Sequence, residues 1–350
     1  MIFRNNYQCL FVTLLLCISI YYFLFHSIFS VELNMEKAGI VSSKGYLSSN
    51  LGMGTRLGNN MFELSSLLGI ARSLNRTAVF FIENAFNKNE LENMINTFPG
   101  LIEQYYVVYG ARPSTIRDTV FHTRCCIFED PRVLQNIDDE HIHLTGTLYQ
   151  SYKYFPNMRD EHLKWIRKPT NDFEGLPKSD GSTHITCVHT RRGDFIGVGF
   201  QASDTHFIRE AVKYIENKEK TDKPRKKVVI FGDDLNFMEN LFNGSVLSID
   251  ENAKISNSTY FISQNSPSDD IVYSKSNCHV VLISASHSTF GWWIGYISVG
   301  NKAYYMDMRV EYVGALRAGN IHIHDYFLPH WIPLKFAADN STIVVGDKVI

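Results

Sequence analysis

The sequence has little with which to hold a metal ion. Its six cysteines include no Cys-x-x-Cys pair, which argues against a structural zinc site. It also has no Asp-x-Asp triplet, the arrangement with which many enzymes hold a divalent cation on a bound diphosphate. The sequence therefore predicts no metal cofactor. Arginines and a helix N-terminus would have to neutralise any diphosphate that this chain binds.

An excess of charge of one sign is absent as well. The 350 residues carry a formal net charge of -2, with a pI of about 6.7, so no basic field favours nucleic acid as a partner. Gly52, Gly54 and Gly58 have the spacing G-x-G-x-x-x-G, which is not the dinucleotide-binding fingerprint but would allow close approach of the backbone to a ligand. The length is sufficient for one large or two medium domains.

The cysteines beyond the N-terminus are Cys125, Cys126, Cys187 and Cys278. Adjacent cysteines are awkward to join to each other. One or two long-range disulfides are possible if the protein folds in an oxidising compartment, and the sequence leaves their pairing open.

A long apolar run lies at the N-terminus. Residues 9–31 carry no Asp, Glu, Lys or Arg and are numerous enough to cross a bilayer. A cleavable signal peptide is disfavoured because the run is longer than usual for one and because the one candidate cleavage site, at Ser30, has the bulky Ile28 two residues before it. With Arg4 before the run, we predict a cytoplasmic tail at 1–8, a transmembrane anchor at 9–31, a stem at 32–44, and the remaining chain across the membrane.

Four Asn-x-Ser/Thr sequons support that side of the membrane. They begin at Asn75, Asn243, Asn257 and Asn340 and fit the acceptor for N-glycosylation. Together with the anchor they predict a catalytic or binding domain in the lumen of the secretory pathway.

Strand and helix patterns alternate after the stem. A strand at Tyr46–Asn50, a glycine-rich loop at 51–60, helical spacing of apolar residues from Met61 to Leu74 and a strand at Thr77–Ile82 make a βαβ unit. Its loop would face the carboxyl ends of the strands, where open α/β sheets bind ligands. Arg56, Asn59 and Asn60 are therefore candidate ligand contacts. The alternative is a solvent-facing arginine and a helix-capping asparagine.

A stretch rich in Pro, Gly and Ser at 168–183 marks the expected domain boundary. We predict an N-terminal α/β domain at 45–170 and a C-terminal Rossmann-like domain at 171–350. Strands of the second domain are expected at His184–Val188, Lys227–Gly232, His279–Ser284 and Lys302–Met306, with helices between them. This alternation predicts a parallel sheet with helices on both faces.

Polar residues follow three of these strands. The sets are His189, Arg191, Arg192 and Asp194; Asp233 and Asp234; and Ser288, Thr289 and Phe290 at the start of a helix. Because parallel strands end at one edge of a sheet, we expect these sets to surround one crevice. Arginine would grip a phosphate there, and the helix N-terminus would bind another phosphate oxygen. Each set alone could instead be a surface ion pair or a helix cap.

The same segments resemble the α-1,2-fucosyltransferase family. TRLGNNMFELSS at 55–66 is similar to its GRLGNQMF segment, HTRRGDF at 189–195 to HVRRGDY, VIFGDD at 229–234 to VFSDD, and SHSTFGWWIGYIS at 286–298 to NSSFSWWAAYLS. The four motifs occur in the family's order. The resemblance implies a GT-B-like α/β fold of two Rossmann-like domains with the donor site in the cleft, preceded by a single transmembrane helix. It also implies GDP-fucose as donor, an inverted α-linked product on a glycan acceptor, and a type II Golgi membrane protein.

Residue roles follow from the resemblance. Arg191 would hold the β-phosphate of GDP, with His189 and Asp194 shaping the donor pocket as the other catalytic residues, and Arg192 would be structural. The donor-binding set would be Arg56, Asn59, Asp233, Asp234, Ser288, Thr289 and Phe290, with Asp234 at the nucleoside. Thr55, Asn60 and Gly232 depart from the family's Gly, Gln and Ser, which leaves the acceptor open.

Three further points concern the general base, the reaction and an adhesion tripeptide. The general base could be Asp194, Glu63 or neither. Fucosyltransferases with α-1,6 or protein O-linked products share the arginine motif, and a membrane-anchored lectin-like or inactive relative would bind glycans without transfer. Arg192-Gly193-Asp194 spells an adhesion tripeptide, which we expect to be buried at its strand end.

Overall fold

The computed structural model describes residues 45–50, 56–122, 124–146, 148–173, 175–242, 246–248, 259–309 and 321–347. The predicted tail, anchor and stem lie outside this part of the chain, as do Gly52, Gly54 and the sequons at Asn243 and Asn257. Within the described residues, no helix combines the length and the apolar character needed to span a bilayer.

Five parallel strands form the first sheet, in the order β3-β2-β1-β5-β4. They are β1 (Tyr46–Ser49), β2 (Thr77–Ile82), β3 (Tyr106–Tyr109), β4 (Asp118–Thr119) and β5 (His141–Leu144). β1, helix α1 (Leu57–Ser73) and β2 make the βαβ unit expected from the sequence, with Tyr46 in register with Thr77. Nothing in the sequence indicates β4, which is only two residues long.

Eight strands form the second sheet, in the order β13-β12-β11-β10-β6-β7-β9-β8. They are β6 (Thr183–His189), β7 (Arg225–Phe231), β8 (Val246–Ser248), β9 (Tyr260–Ile262), β10 (Val280–Ile283), β11 (Ala303–Met306), β12 (Ile332–Phe336) and β13 (Ile343–Val345). β6, β7, β10 and β11 lie within two residues of the predicted strands. These four strands pair in parallel, as predicted. The final pair, β12 and β13, lies beyond the predicted strands and is antiparallel, so the sheet as a whole is mixed.

Helices connect the strands. They are α2 (Ala85–Ile95), α3 (Pro99–Ile102), α4 (Arg159–Trp165), α5 (Phe195–Val198), α6 (Thr205–Lys218), α7 (Leu235–Glu239), α8 (Pro267–Asn277), α9 (Thr289–Ile297) and α10 (Ile323–Tyr326). Side-chain caps fix several starts. Asp204 accepts the N–H of Phe207 at 2.7 Å, and Ser266 accepts that of Asp269 at 3.2 Å, each satisfying a helix N–H that has no partner in its own helix.

The larger apolar cluster of the core includes residues of both sheets, from Leu47 in β1 to Ile283 in β10. At its centre Phe62 of α1 lies 4.4 Å from Trp292 and 5.4 Å from Trp293, both in α9, measured between ring centroids. A second, smaller apolar cluster joins the eight-stranded sheet to helices α6 and α7. The described residues form one compact unit, and the division of the chain into domains at 45–170 and 171–350 stays a prediction.

Helices α1 and α9 approach closely at a glycine. A Cβ on Gly58 would lie 2.6 Å from the backbone nitrogen of Phe290, closer than packed atoms allow. The Trp293 indole N–H donates to the Gly58 carbonyl at 3.0 Å. Gly58 lines the cavity described below, as a glycine close to a ligand would, and its missing side chain also lets the N-termini of the two helices meet.

Two disulfides are formed. Cys187 in β6 and Cys278 before β10 are joined across 91 residues, with their Cα atoms 5.6 Å apart. This is a long-range bond of the kind that the sequence allowed. Cys125 and Cys126 are joined to each other, which is the pairing expected to be awkward.

Candidate active site

A cavity of about 780 Å³ opens where β6, β7 and β10 end and where α1 and α9 begin. Nine residues of the predicted site line it: Arg56, Asn59, His189, Arg191, Asp194, Asp233, Ser288, Thr289 and Phe290. The tenth, Asp234, is not among the lining residues. The expectation that three strand ends and the α1 segment converge on one crevice is therefore met by the fold.

Arg191 is the cation held most firmly in this cavity. Its Nη2 lies 2.7 Å from Asp194 Oδ1 and its Nη1 3.1 Å from Asp233 Oδ2. The guanidinium carbon is 5.5 Å from the centroid of the Phe195 ring, and the side chain is only 15% exposed. A guanidinium has five N–H donors, so donors remain for a bound anion after both carboxylates are satisfied.

The backbone around Arg191 is fixed by buried serines. Its N–H donates to Ser203 Oγ at 2.8 Å, and Ser203 Oγ is 2.7 Å from Ser284 Oγ. Ser284 in turn donates to the carbonyl of His189 at 2.7 Å. Ser203 and Ser284 are almost fully buried, so these bonds hold the end of β6 against the end of β10 and orient Arg191 towards the cavity.

Arg192, by contrast, makes its contacts outside the cavity. Its Nη1 donates to the Ser203 carbonyl at 2.8 Å, and its guanidinium carbon lies 4.4 Å from the centroid of the Phe237 ring. It does not line the cavity. This arrangement supports the structural role expected for the second arginine of the pair.

Of the two aspartates after β7, Asp233 belongs to the cavity and Asp234 stabilises a helix. Asp233 lines the cavity, pairs with Arg191, and accepts the N–H of Arg192 at 2.9 Å. Asp234 caps α7 by accepting the N–H of Phe237 at 2.9 Å, and lies 3.5 Å from Arg192 Nε. The helix-cap alternative therefore describes Asp234, and its expected contact with a nucleoside has no support from its position.

His189 is a buried, neutral imidazole. Its Nε2 lies 3.2 Å from Ser288 Oγ, and its ring packs against Gly291, where a Cβ would come within 2.5 Å of Nδ1. Burial, with a smaller contribution from the charge of Arg191, lowers the pKa of His189 to about 3. The ring shapes the wall of the cavity without bringing a charge to it.

Asn59 links the first sheet's helix to α9. Its Oδ1 accepts the hydroxyl of Thr289 at 2.7 Å and the amide N–H of Gln150 at 2.9 Å. Asn59 lies inside α1, whose N-cap residue is Arg56, so it is not the cap that the alternative described. Arg56 is largely exposed and its Nη2 lies 3.5 Å from Asp194 Oδ2.

Ser288 combines both roles that the sequence allowed. It caps α9 by accepting the N–H of Gly291 at 3.4 Å, and it lines the cavity beside Thr289 and Phe290. The first turn of α9 thus presents its N–H groups at the cavity, where the helix dipole favours an anion.

The two carboxylates considered as general bases are both engaged. Asp194 contacts Arg191 and Arg56. Glu63 is fully buried, accepts the N–H of Leu148 at 2.9 Å, and does not line the cavity.

The expectation that the adhesion tripeptide Arg192-Gly193-Asp194 is buried was wrong, because Gly193 and Asp194 are exposed. Asp194 is nevertheless held by its ion pairs with Arg191 and Arg56.

Several lining residues carry no signal in the sequence. They are Cys125, Cys126, Leu148, Gln150, Phe200, Ser263, Asn265, Asp270 and Ile321, among others. His287 also lines the cavity, within the family-like segment at 286–298, but was not singled out as a site residue. Leu148 and Gln150 come from an aromatic stretch in which no site residue was expected; Tyr149 and Tyr154 there are indeed core. His287 lies beside a predicted residue, so proximity to the motif was a usable signal.

Burial raises the pKa of Asp270 well above its usual range, and its carboxyl group accepts the hydroxyl of Ser263. In the parts of the chain that the structure describes, no group of three or more His, Cys, Asp or Glu side chains is arranged to hold a metal ion.

Two of the four sequons lie in the described residues. Their asparagines, Asn75 and Asn340, are both exposed at turns with positive φ.

The sequence profile of glycosyl transferase family 11 matches residues 137–335, which include β5 to most of β12 and all three strand-end segments of the site. The chain belongs to glycosyl transferase family 11. This glycosyltransferase is 48% identical over 306 residues to the "Putative galactoside 2-alpha-L-fucosyltransferase svh-11" of Caenorhabditis elegans, covering 87% of this chain and 83% of that protein. It is 32% identical over 303 residues to a galactoside 2-alpha-L-fucosyltransferase of the same organism, covering 80% and 74%.

Among solved structures, the glycosyltransferase aligns with the crystal structure of POFUT1 in complex with GDP-fucose. The TM-score is 0.45 and the identity 11%, covering 73% of this chain and 94% of that one.

Proposed function

We propose that this glycosyltransferase transfers L-fucose from GDP-fucose to a glycan hydroxyl, forming an α-1,2 linkage to galactose with inversion at the sugar and without a metal ion. The observation that carries the proposal is the convergence of Arg191 with the first turn of α9 on one cavity. The names of the relatives, galactoside 2-alpha-L-fucosyltransferases, support the donor sugar and the linkage.

The cavity can stabilise a leaving diphosphate. Asp194 and Asp233 hold the Arg191 guanidinium in place before the donor arrives, so little ordering is needed when it binds. Its remaining N–H donors bind phosphate oxygens, and the N–H groups that begin α9 bind others. As the bond from fucose to GDP breaks, negative charge grows on the β-phosphate, and these donors stabilise that charge.

The same cavity accounts for a reaction without a metal. An arginine and a helix N-terminus supply the positive charge that a divalent cation would otherwise bring. Inversion requires the acceptor hydroxyl to attack from the side opposite the departing GDP, and binding both substrates in one cavity favours that alignment.

The test is transfer by the full-length protein, assayed with GDP-fucose and a glycan array in the presence of EDTA. We expect an α-1,2-fucosylated galactoside, identified by NMR of the purified product, and undiminished activity in EDTA. Arg191→Ala should abolish GDP binding by calorimetry together with transfer, because no other cationic side chain lining the described part of the cavity is both buried and paired in this way.

Other outcomes separate the alternatives. A strict Mn²⁺ requirement, or preference for a UDP-sugar, would reject the proposed reaction. Glycan binding without GDP binding would identify a lectin-like or inactive relative, and an α-1,6-linked or O-linked product would place the enzyme with fucosyltransferases of other linkage.

We further propose that residues 9–31 anchor the enzyme in the Golgi membrane with the catalytic domain in the lumen. The uncharged N-terminal run and the exposed positions of Asn75 and Asn340 support this orientation. In microsomes, the domain should resist added protease, and Asn75→Gln and Asn340→Gln should each reduce the mass that a glycosidase removes. Digestion of the domain in intact microsomes would contradict the proposal.

A further inference from the structure

His287 lines the cavity but takes no part in the proposed binding of the diphosphate. It lies between β10 and α9, directly before the serine that caps α9. Both of its ring nitrogens are buried and neither has a hydrogen-bond partner within the described structure. A buried polar atom without a partner is costly, and because His287 lines the cavity a ligand bound there would supply the missing partner.

The ring itself is held by packing. The Phe200 ring lies 4.8 Å from it, between centroids, at an interplanar angle of 36°. The Tyr326 hydroxyl reaches the His287 carbonyl at 3.5 Å. Position and orientation are thus fixed by neighbours, and neither ring nitrogen is hydrogen-bonded to them.

The other titratable groups of the cavity are occupied. Asp194 and Asp233 contact Arg191, and the Asp270 carboxyl accepts the hydroxyl of Ser263. The remaining imidazole, His189, uses Nε2 with Ser288 and has Nδ1 against Gly291. His287 is therefore the lining imidazole whose hydrogen-bonding atoms are both uncommitted.

The proposed reaction requires such a group. The acceptor hydroxyl must lose a proton as its oxygen forms a bond to the anomeric carbon of fucose, while the bond from that carbon to GDP breaks and its electron pair leaves on the β-phosphate. A group with a free lone pair within reach of the hydroxyl removes that proton.

We propose that His287 is the general base of this glycosyltransferase: an imidazole nitrogen takes the proton of the acceptor hydroxyl as fucose is transferred. The inference rests on the proposed function. The proton leaves for solvent after the products dissociate. Burial lowers the pKa of His287 to about 4, so the ring is neutral and its lone pair available at neutral pH.

The experiment compares the full-length wild type with His287→Gln and His287→Phe. Glutamine keeps a polar side chain and phenylalanine keeps the ring packing on Phe200, but neither accepts a proton. We expect kcat for transfer to fall by about 10²–10⁴-fold in both variants. The Kd for GDP, measured by calorimetry, and the Tm should stay near those of the wild type, because neither variant alters Arg191 or α9.

A second nucleophile separates base catalysis from misplacement of the donor. Azide attacks without losing a proton, so formation of fucosyl azide from GDP-fucose should be retained in His287→Gln while transfer to the glycan is lost. Phe200→Leu, which alters the packing around the ring, serves as the matched control and should reduce both reactions equally, if at all.

The proposal is overturned if His287→Gln transfers fucose to the glycan at the wild-type rate. It is also overturned if glycan transfer and azide transfer fall together, or if the loss is explained by weaker GDP binding. If the wild type itself consumes no GDP-fucose, the proposed function fails, and the two failures are thereby distinguished.

Discussion

At the scale of single residues, two adjacent arginines with the same chemistry have separate environments. Arg191 points into the cavity between two carboxylates, whereas Arg192 lies over Phe237 and donates to the Ser203 carbonyl. An arginine that packs on an aromatic ring and bonds the backbone stabilises the fold, and one that faces a cavity with spare N–H donors is available to a ligand. The difference arises from the turn after β6, which directs consecutive side chains to opposite sides.

Arg192→Ala should lower stability more than it lowers activity. It removes a cation–π contact and a charged hydrogen bond, which together contribute about 2 kcal/mol to the free energy of unfolding. Urea titration would measure that loss, and GDP binding per folded molecule should be retained. Arg191→Ala is the matched control, and it should lower activity more than it lowers stability. Loss of GDP binding in Arg192→Ala at unchanged stability would contradict the assignment.

At the scale of elements, the site depends on how closely α1 and α9 approach. Gly58 permits that approach, and Asn59 then bonds Thr289 across it. In the described part of the glycine-rich segment, Gly58 therefore both lines the cavity and permits the packing of the two helices. The contact sets the position of the α9 N-terminus relative to the arginine loop, which is where the proposed reaction needs it.

Gly58→Ala should separate the two helices. The added methyl group would lie 2.6 Å from the Phe290 nitrogen, and overpacking of this kind costs about 1–3 kcal/mol. We expect a lower Tm and a higher KM for GDP-fucose. Gly197→Ala, in α5, is the control because a Cβ there meets nothing within 4 Å. If the Tm and the KM for GDP-fucose were the same in Gly58→Ala and Gly197→Ala, the close approach of α1 and α9 would affect neither stability nor donor binding.

At the scale of the whole molecule, buried histidines link stability to pH. His162 is fully buried in the aromatic core, with Nδ1 3.1 Å from the Tyr296 hydroxyl. Burial, with a smaller contribution from Arg72, lowers its pKa to about 3, and the pKa of His189 is lowered similarly. As the pH falls below about 6.5 the unfolded chain takes up these protons and the folded protein does not, so acid favours unfolding.

Stability should therefore fall between pH 7 and pH 5. Each such histidine contributes about 2 kcal/mol to that loss, since the unfolded imidazole is largely protonated at pH 5. Urea denaturation at both pH values should show a smaller difference for His162→Asn than for the wild type. His330→Asn replaces an exposed histidine and controls for loss of the side chain itself. A pH dependence unchanged by His162→Asn would refute the linkage.

The sequence by itself determined the βαβ unit at β1–α1–β2, the four central strands of the second sheet, and nine residues of the cavity. These follow from local patterns: apolar periodicity marks buried elements, and parallel strands bring their carboxyl ends to one edge.

Only the tertiary structure decided what depends on contacts between distant segments. It separated Arg191 from Arg192 and Asp233 from Asp234, because each pair is equivalent until neighbours are in place. It brought Gln150 into the cavity, and it left the nitrogens of His287 without partners. Local pattern specifies which elements form, but burial, pairing and free hydrogen-bonding capacity are properties of the packed chain, and these select the residues that carry out the chemistry.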